Sequence, residues 1–198
     1  ERFLGIMAEQ AERMHRLVDG LLSLSRVELT EHQAPRDEVD LGLLARRMVA
    51  EQEPRLGARR MAVETRFEDG LPKLRGDADQ LAQVLGNLLD NAVKYGAEGG
   101  RIRVSVGREG GGVAVSVAHD GPGIARLHLP RLTERFYRVD KGRSRAVGGS
   151  GLGLAIVKHI VNRHRGRLSI ESVEGQGATF TVWLPAMAEA ALPQPAGT

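Results

Sequence analysis

The residues able to do chemistry fall into a few short stretches. Asn87 and Asn91 stand four apart in NLLDNAVKY, with Lys94 and Tyr95 one turn further on. On a helix that spacing puts both amides on one face. Amide oxygens are hard donors for Mg2+, which keeps waters and substrate phosphates in its shell, and a lysine beside them adds a cation for a phosphate. The same spacing also describes the wet side of an ordinary amphipathic helix. GGSGLGLAI, residues 148–156, sets small residues directly before a helix, where backbone N–H groups bind phosphate with no side chain in the way. It is equally the cap of a plain helix, lacking the Lys-Ser/Thr of a Walker loop and the preceding strand of a dinucleotide fingerprint. RFYRVDKGRS, residues 135–144, brings Arg138, Lys141 and Arg143 just ahead of those glycines, as a cationic lid or a solvated loop. In SVAHDGPGI an imidazole, His119, ends a strand-like alternation where Gly121-Pro-Gly123 turns the chain. The other histidines read as structural or solvated: His159 and His164 are five apart and diverge on a helix, and His15 has no neighbour suggesting a nucleophile.

These groups must be positioned by regular elements, and the hydrophobic pattern supplies them. ERFLGIMAEQAERMHRLVDGLLSLSRVEL opens in full helical rhythm from Glu1, with Phe3, Ile6/Met7, Met14, Leu17, Leu21 and Leu24 in one apolar stripe that needs a partner. An uncapped start without methionine reads as a fragment of a longer protein. A polar link, TEHQAPRDE, follows, and Asp40 is expected to cap a second helix running to about Gly57. MAVETRFED predicts a strand, and GDADQLAQVLGNLLDNAVKYG a helix opened by Asp77 or Asp79. RIRVSVG and GVAVSVA predict a hairpin through REGGG. The stretch from Asp120 to Gly149 is irregular, and a loop of that length in a compact domain is usually functional. SGLGLAIVKHIVNRHRG predicts a last helix, RLSIESV and ATFTVWLP strands around EGQG, and AMAEAALPQPAGT a flexible tail. Gly175 and Gly177 suit a hairpin turn and little more.

Composition narrows the classes. With 198 residues and 41% hydrophobic side chains the chain can bury an ordinary core. Glycine, 25 residues, runs well above the usual roughly 7% and marks the loops. No cysteine is present, so neither disulfides nor thiolate metal ligands are available, which suits a reducing compartment. No apolar run approaches the roughly 18 residues of a membrane span. A net charge of +3 is spread among alternating Arg and Glu instead of one basic block, which argues against nucleic acid.

Taken in order, NLLDNAVKY, HDGPGI, RFYR, GGSGLGLAI and GQGATF resemble the N, G1, F, G2 and G3 boxes of the ATP-binding domain of two-component sensor histidine kinases. The resemblance covers residues 38–185. The helix over 1–29 is similar to the second helix of that family's dimerisation and phosphotransfer hairpin, joined by a linker at 30–37 and leaving a tail at 186–198. LTERFYRVDKGRSR and GGSGLGLAIVKHIVNRH most resemble phosphate-regulon sensor kinases. The resemblance implies an α/β fold, a two-layer α/β sandwich of the histidine kinase, gyrase and Hsp90 type. A mixed sheet would carry helices on one face, preceded by the long helix, with ATP between the N-box helix and the lid. Asn91 would ligand Mg2+ with Asn87 in support, and Lys94, Tyr95, Arg138 and Lys141 would face the phosphates. Gly149, Gly151, Leu152, Gly153 and Leu154 would form the phosphate turn; Gly121, Gly123 and Ile124 would form the G1 turn, and Thr179 would lie near adenine. The implied partners are a second copy, through the N-terminal helix, and a response regulator. The implied setting is the cytoplasmic side of an inner-membrane protein, reached through segments outside this sequence.

Two departures from that pattern stand out. The G1 box of the family reads Asp-x-Gly-x-Gly, its aspartate accepting from the adenine amino group, and here that place holds His119. Asp120 occupies the variable slot, and neighbours on an extended strand point to opposite sides. A carboxylate is acceptor-only, whereas neutral imidazole has one acceptor nitrogen, so adenine recognition is expected to weaken. The family's phosphoacceptor histidine, followed by an acidic residue, is also missing from these residues, so the expected role is to donate the γ-phosphoryl to a histidine supplied from elsewhere. Two other classes fit less of the sequence: a degenerate nucleotide-binding module acting by protein contact, favoured by His119, and an ATPase or chaperone of the same superfamily.

Overall fold

The computed structural model describes residues 2–30, 32–139 and 150–187. A long helix α1 (Arg2–Thr30) leads into a short strand β1 (Asp37–Val39) and helices α2 (Leu41–Ala50) and α3 (Glu53–Ala58). Then come β2 (Ala62–Phe67), β3 (Leu74–Gly76), α4 (Ala78–Tyr95), and the hairpin β4 (Arg101–Glu109) and β5 (Gly112–His119). A 3-10 turn over Arg126–Arg131 precedes α5 (Gly153–Arg163), β6 (Arg167–Ser172) and β7 (Ala178–Pro185).

The helix expected to run from Asp40 to about Gly57 is two helices. Asp40 caps the first, its Oδ1 accepting from the Leu43 N–H at 2.8 Å. Pro54, in the first turn of α3, has no N–H to donate back and its ring would meet the carbonyl of Ala50. The polar link also contributes more than a connection: β1 pairs antiparallel with β3, Asp37 opposite Gly76 and Val39 opposite Leu74. Neither strand is long enough to show a period in sequence.

Five strands form the main sheet in the order β2-β4-β5-β7-β6. The β2–β4 pair is parallel and the rest antiparallel, so the sheet is mixed. Alternation sorts its faces. Ile102, Val104, Val106, Val113, Val115, Val117, Phe180, Val182 and Leu184 turn inward under the helices and are buried. Ser105, Ser116, Thr181 and Trp183 take the open face, where Thr181 donates to Ser116 at 3.1 Å. Leu81, Val84, Leu85, Leu88, Ala92 and Val93 of α4 and Ile156, Val157, Ile160 and Val161 of α5 complete one core. At roughly 25 cal/mol per Å2 of apolar surface removed from water, that two-layer core is the main stabilising term. The expected two-layer α/β sandwich with a mixed sheet is the observed fold. β7 does not end the ordered pairing: Ala186 bridges Leu74 and the Met187 N–H donates to the Lys73 carbonyl.

The apolar stripe of α1 divides. Its C-terminal part docks on the body, with Leu24 and Val27 buried, Gly20 against Leu152, and Gln83 of α4 donating to Ser23 at 2.7 Å. Met7, Met14, Leu21 and Leu22 stay exposed.

Candidate functional site

The edge of α4 and the sheet ends near it enclose a cleft of about 410 Å3, within the usual span for small-molecule sites. A larger cavity of about 970 Å3 opens between the linker and the end of α5, lined by Arg36, Arg75 and Arg165 among others. It holds none of the residues that the resemblance assigns to the nucleotide, although His164 borders it.

α4 supplies one wall. Asp77 caps it, accepting from the Gln80 N–H at 3.1 Å, and Arg59 closes its other end by donating to the carbonyls of Val93, Lys94 and Gly96. Asn87, Asn91, Lys94 and Tyr95 all line the cleft. The Nδ2 of Asn87 is buried without a hydrogen-bond partner. Asp90 lines the cleft too, and sequence reading passed over it. Its carboxylate accepts from Lys94 at 2.6 Å and from Arg55 of α3 at 2.7 Å. The Lys94 ammonium is thereby drawn one turn back along α4, toward Asn87. The i, i+4 spacing of Asp90 and Lys94 was the available signal.

α5 supplies the opposing wall through its N-terminus. Gly151 and Gly153 line the cleft with Leu154 and Ser150. Gly151 adopts φ +74, and a Cβ there would lie 2.9 Å from the backbone of Phe136. That approach lets the Phe136 N–H donate to the Gly151 carbonyl at 2.9 Å, which pins the 135–139 segment against the turn. A Cβ on Gly153 would stand 3.2 Å from Oδ1 of Asn87, so the two walls nearly touch here. Leu152 faces away into the core and against α1. Arg138 lines the cleft, and its Nε and one terminal nitrogen are buried without partners. Lys141, Arg143 and Gly149 lie outside the described residues.

The floor is the end of the sheet. His119 is 5% exposed and stands in register between Ile102 and Ala178, its ring stacked 6.3 Å from Phe180. Burial pushes its pKa down, opposed by the backbone and carboxylate of Asp120, and its Nδ1 has no hydrogen-bond partner. Asp120 turns the other way, to Arg103 at 3.5 Å. Gly123 and Ile124 line the cleft; Gly121 does not, lying behind it against the Tyr95 carbonyl. Gly177 is more than a hairpin residue. With φ +82, a Cβ there would sit 2.0 Å from the His119 carbonyl, so only glycine lets β7 start against the end of β5.

A third expected residue, after Leu152 and Gly121, does not line the cleft. Thr179 pairs with Ala118 on the open face, because β7 residues alternate and its neighbours Ala178 and Phe180 face inward. Phe180 is the cleft residue of that strand. On the remaining side, His128 and Tyr137 join across the 3-10 turn at 2.7 Å, with the Arg131 guanidinium 4.2 Å over the Tyr137 ring. Sequence reading found no role for His128, since its partner is nine residues away in an irregular segment. Among the described residues no group of three His, Asp or Glu side chains forms a metal cluster.

The floor carries the rings of His119 and Phe180, the walls carry cations and unpaired donors, and one wall ends in a helix N-terminus. That combination fits a nucleotide, base down and phosphates toward α5. The family model for histidine kinase-, DNA gyrase B-, and HSP90-like ATPases matches residues 76–188. The chain is 40% identical to the phosphate regulon sensor protein PhoR of Pseudomonas aeruginosa, over 91% of this chain and 40% of that protein. It is 35% identical to the sensor protein kinase WalK of Staphylococcus aureus, over 93% of this chain and 44% of the relative. The full-length ShkA structure in complex with AMPPNP superposes with a TM-score of 0.80 at 30% identity, covering 96% of this chain and 40% of that one. The chain thus spans less than half the length of these relatives. Fold, cleft and kinship converge on one conclusion: the chain belongs to the histidine kinase-, DNA gyrase B-, and HSP90-like ATPase family and is a catalytic domain of the sensor histidine kinase type.

Proposed function

We propose that the cleft binds Mg2+-ATP and that the domain passes the γ-phosphoryl to a histidine outside it, in a two-component kinase that then serves a response regulator. The observation that carries this reading is the convergence of unpaired buried donors, Arg138 Nε and Asn87 Nδ2, beside the N-terminus of α5. Buried donors without partners are costly, about 1–3 kcal/mol each, and a phosphate chain supplies the missing acceptors. The metal fits the donor set. Asn91, with Asn87 and Asp90 on the same wall, offers hard oxygens to a cation that keeps waters and phosphate oxygens in its shell. Asn91 would hold it, and the bound ion would neutralise charge on the phosphates.

The exposed apolar part of α1, Met7, Met14, Leu21 and Leu22, supports pairing with a second copy. Among the described residues no helix is long and apolar enough to cross a membrane, so attachment at an inner membrane would come from segments outside this sequence. The likeness to PhoR supports signalling tied to phosphate supply.

Calorimetric titration with ATP and Mg2+ tests the reading. Binding is expected, and Arg138→Ala is expected to weaken it about ten- to a hundredfold, the equivalent of losing charge-assisted bonds of about 1.5–3 kcal/mol. Equal affinity in the variant would remove Arg138 from the phosphate site. No binding by the folded native chain would favour the second reading, a degenerate module acting by contact, to which His119 points.

A further inference from the structure

The two buried histidines of this fold differ in one respect that bears on ligand choice. His164 is held in a single tautomer. Its Nδ1 donates to the Ile160 carbonyl at 2.8 Å and its Nε2 accepts from the Asp77 N–H at 3.0 Å. His119 has no such pins. Its Nδ1 is buried without a partner, and the side chains in register beside it, Ile102 and Ala178, carry no polar atom. Neutral imidazole carries one N–H and one bare nitrogen, and moving the proton exchanges donor for acceptor at the same place. The Asp120 backbone and carboxylate are the polar groups that act on this ring, and with its Nδ1 lacking a partner it can present either.

The position of His119 in the cleft decides what it would read. Asn87, where α4 meets Gly153 of α5, marks one end; Tyr95, whose carbonyl backs onto Gly121 next to His119, marks the other. Eight residues of helix separate them by about 12 Å. The end at Asn87 holds the helix N-terminus and unpaired donors, hence the phosphates. The end at His119 holds Phe180 and Ile124, hence the base. Adenine presents an amino donor on its six-position edge and guanine a carbonyl acceptor.

We propose that His119 makes this cleft permissive at the purine base, so that GTP binds about as well as ATP. The acceptor tautomer meets the adenine amino group and the donor tautomer meets the guanine carbonyl. Asp120 does not substitute, because it is turned to Arg103, and Glu174, the carboxylate on the turn beside Gly123, is exposed. The proposal rests on the nucleotide reading of the cleft and adds the class of base that it takes.

Titration of the native chain, His119→Asp and His119→Asn with ATP and with GTP, each with Mg2+, tests it. The native chain is expected to bind the two within about threefold. An acceptor-only aspartate should favour ATP over GTP by at least about tenfold, the size of a hydrogen bond to a charged group. An amide, which keeps both donor and acceptor, should remain within about threefold. A native preference of tenfold or more for either nucleotide overturns the proposal, as does an equal ratio in native and aspartate forms. If all three folded proteins bind neither triphosphate, the nucleotide reading itself falls, and the proposal with it.

Discussion

Protonating His164 would remove the acceptor that holds the Asp77 N–H, the residue that caps α4. Burial lowers the pKa of this imidazole, with Arg163 acting the same way and the Ile160 carbonyl and Asp77 opposing. His119 is lowered by burial as well. A histidine whose folded pKa lies below its unfolded value of about 6.5 adds stability that is fully present above that value. The stability is lost as pH falls below it, since the unfolded chain then binds the extra proton. Melting temperature is therefore expected to drop between pH 7.5 and 5.5. His164→Leu should be destabilised by about 1–3 kcal/mol at pH 7.5, because the Asp77 N–H is orphaned, and should lose less on acidification than the native chain. Parallel drops in both proteins would show that His164 does not carry this dependence.

Two contacts tie elements to the cleft. Arg59, at the end of α3, serves three carbonyls that the last turn of α4 leaves open, and this turn carries Lys94 and Tyr95. Arg59→Ala should cost about 1–3 kcal/mol in denaturant unfolding, several degrees of melting temperature, and weaken nucleotide binding as that turn frays. Unchanged stability would mean that water replaces the guanidinium at no cost. Gly151 works on the other wall. Gly151→Ala meets both a left-handed backbone and a Cβ 2.9 Å from Phe136. It should detach the 135–139 segment from α5 and lower affinity for ATP while leaving the melting temperature within a few degrees. Native affinity in the folded variant would show that the Phe136 contact does not shape the site. At this scale the caps at Asp40 and Asp77 were legible because a cap needs only local sequence. The break at Pro54 was also local, although the expected helix from Asp40 to about Gly57 runs straight through it.

For the molecule as a whole, none of its own histidines is placed to take a phosphoryl group. His119 lies at the sheet end of the cleft, His164 has both nitrogens engaged, and His128 meets Tyr137. His15 pairs with Asp19, His159 stands 3.5 Å from Glu28, and His32 borders the larger groove away from the cleft. In-line transfer needs the acceptor aligned with the γ-phosphate. Incubation with labelled ATP and Mg2+ should leave all six histidines unlabelled. Stable label on any of them would overturn this placement.

Sequence alone determined the longer helices and strands, though not β1, β3 or the break between α2 and α3, because periods of 3.6 and two are properties of consecutive residues. It also determined the order of the chemical groups along the chain, and with it the family. Tertiary structure decided which of those groups meet. Phe180, not Thr179, faces the cleft because the register of β7 on β5 sets the phase of its alternation. Asp90 matters because Arg55, 35 residues earlier, folds back to it. The stripe of α1 splits into a docked and an exposed part because Leu152 of the body meets Gly20. Each of these depends on a pairing between residues far apart in sequence, and a local pattern carries no information about its distant partner.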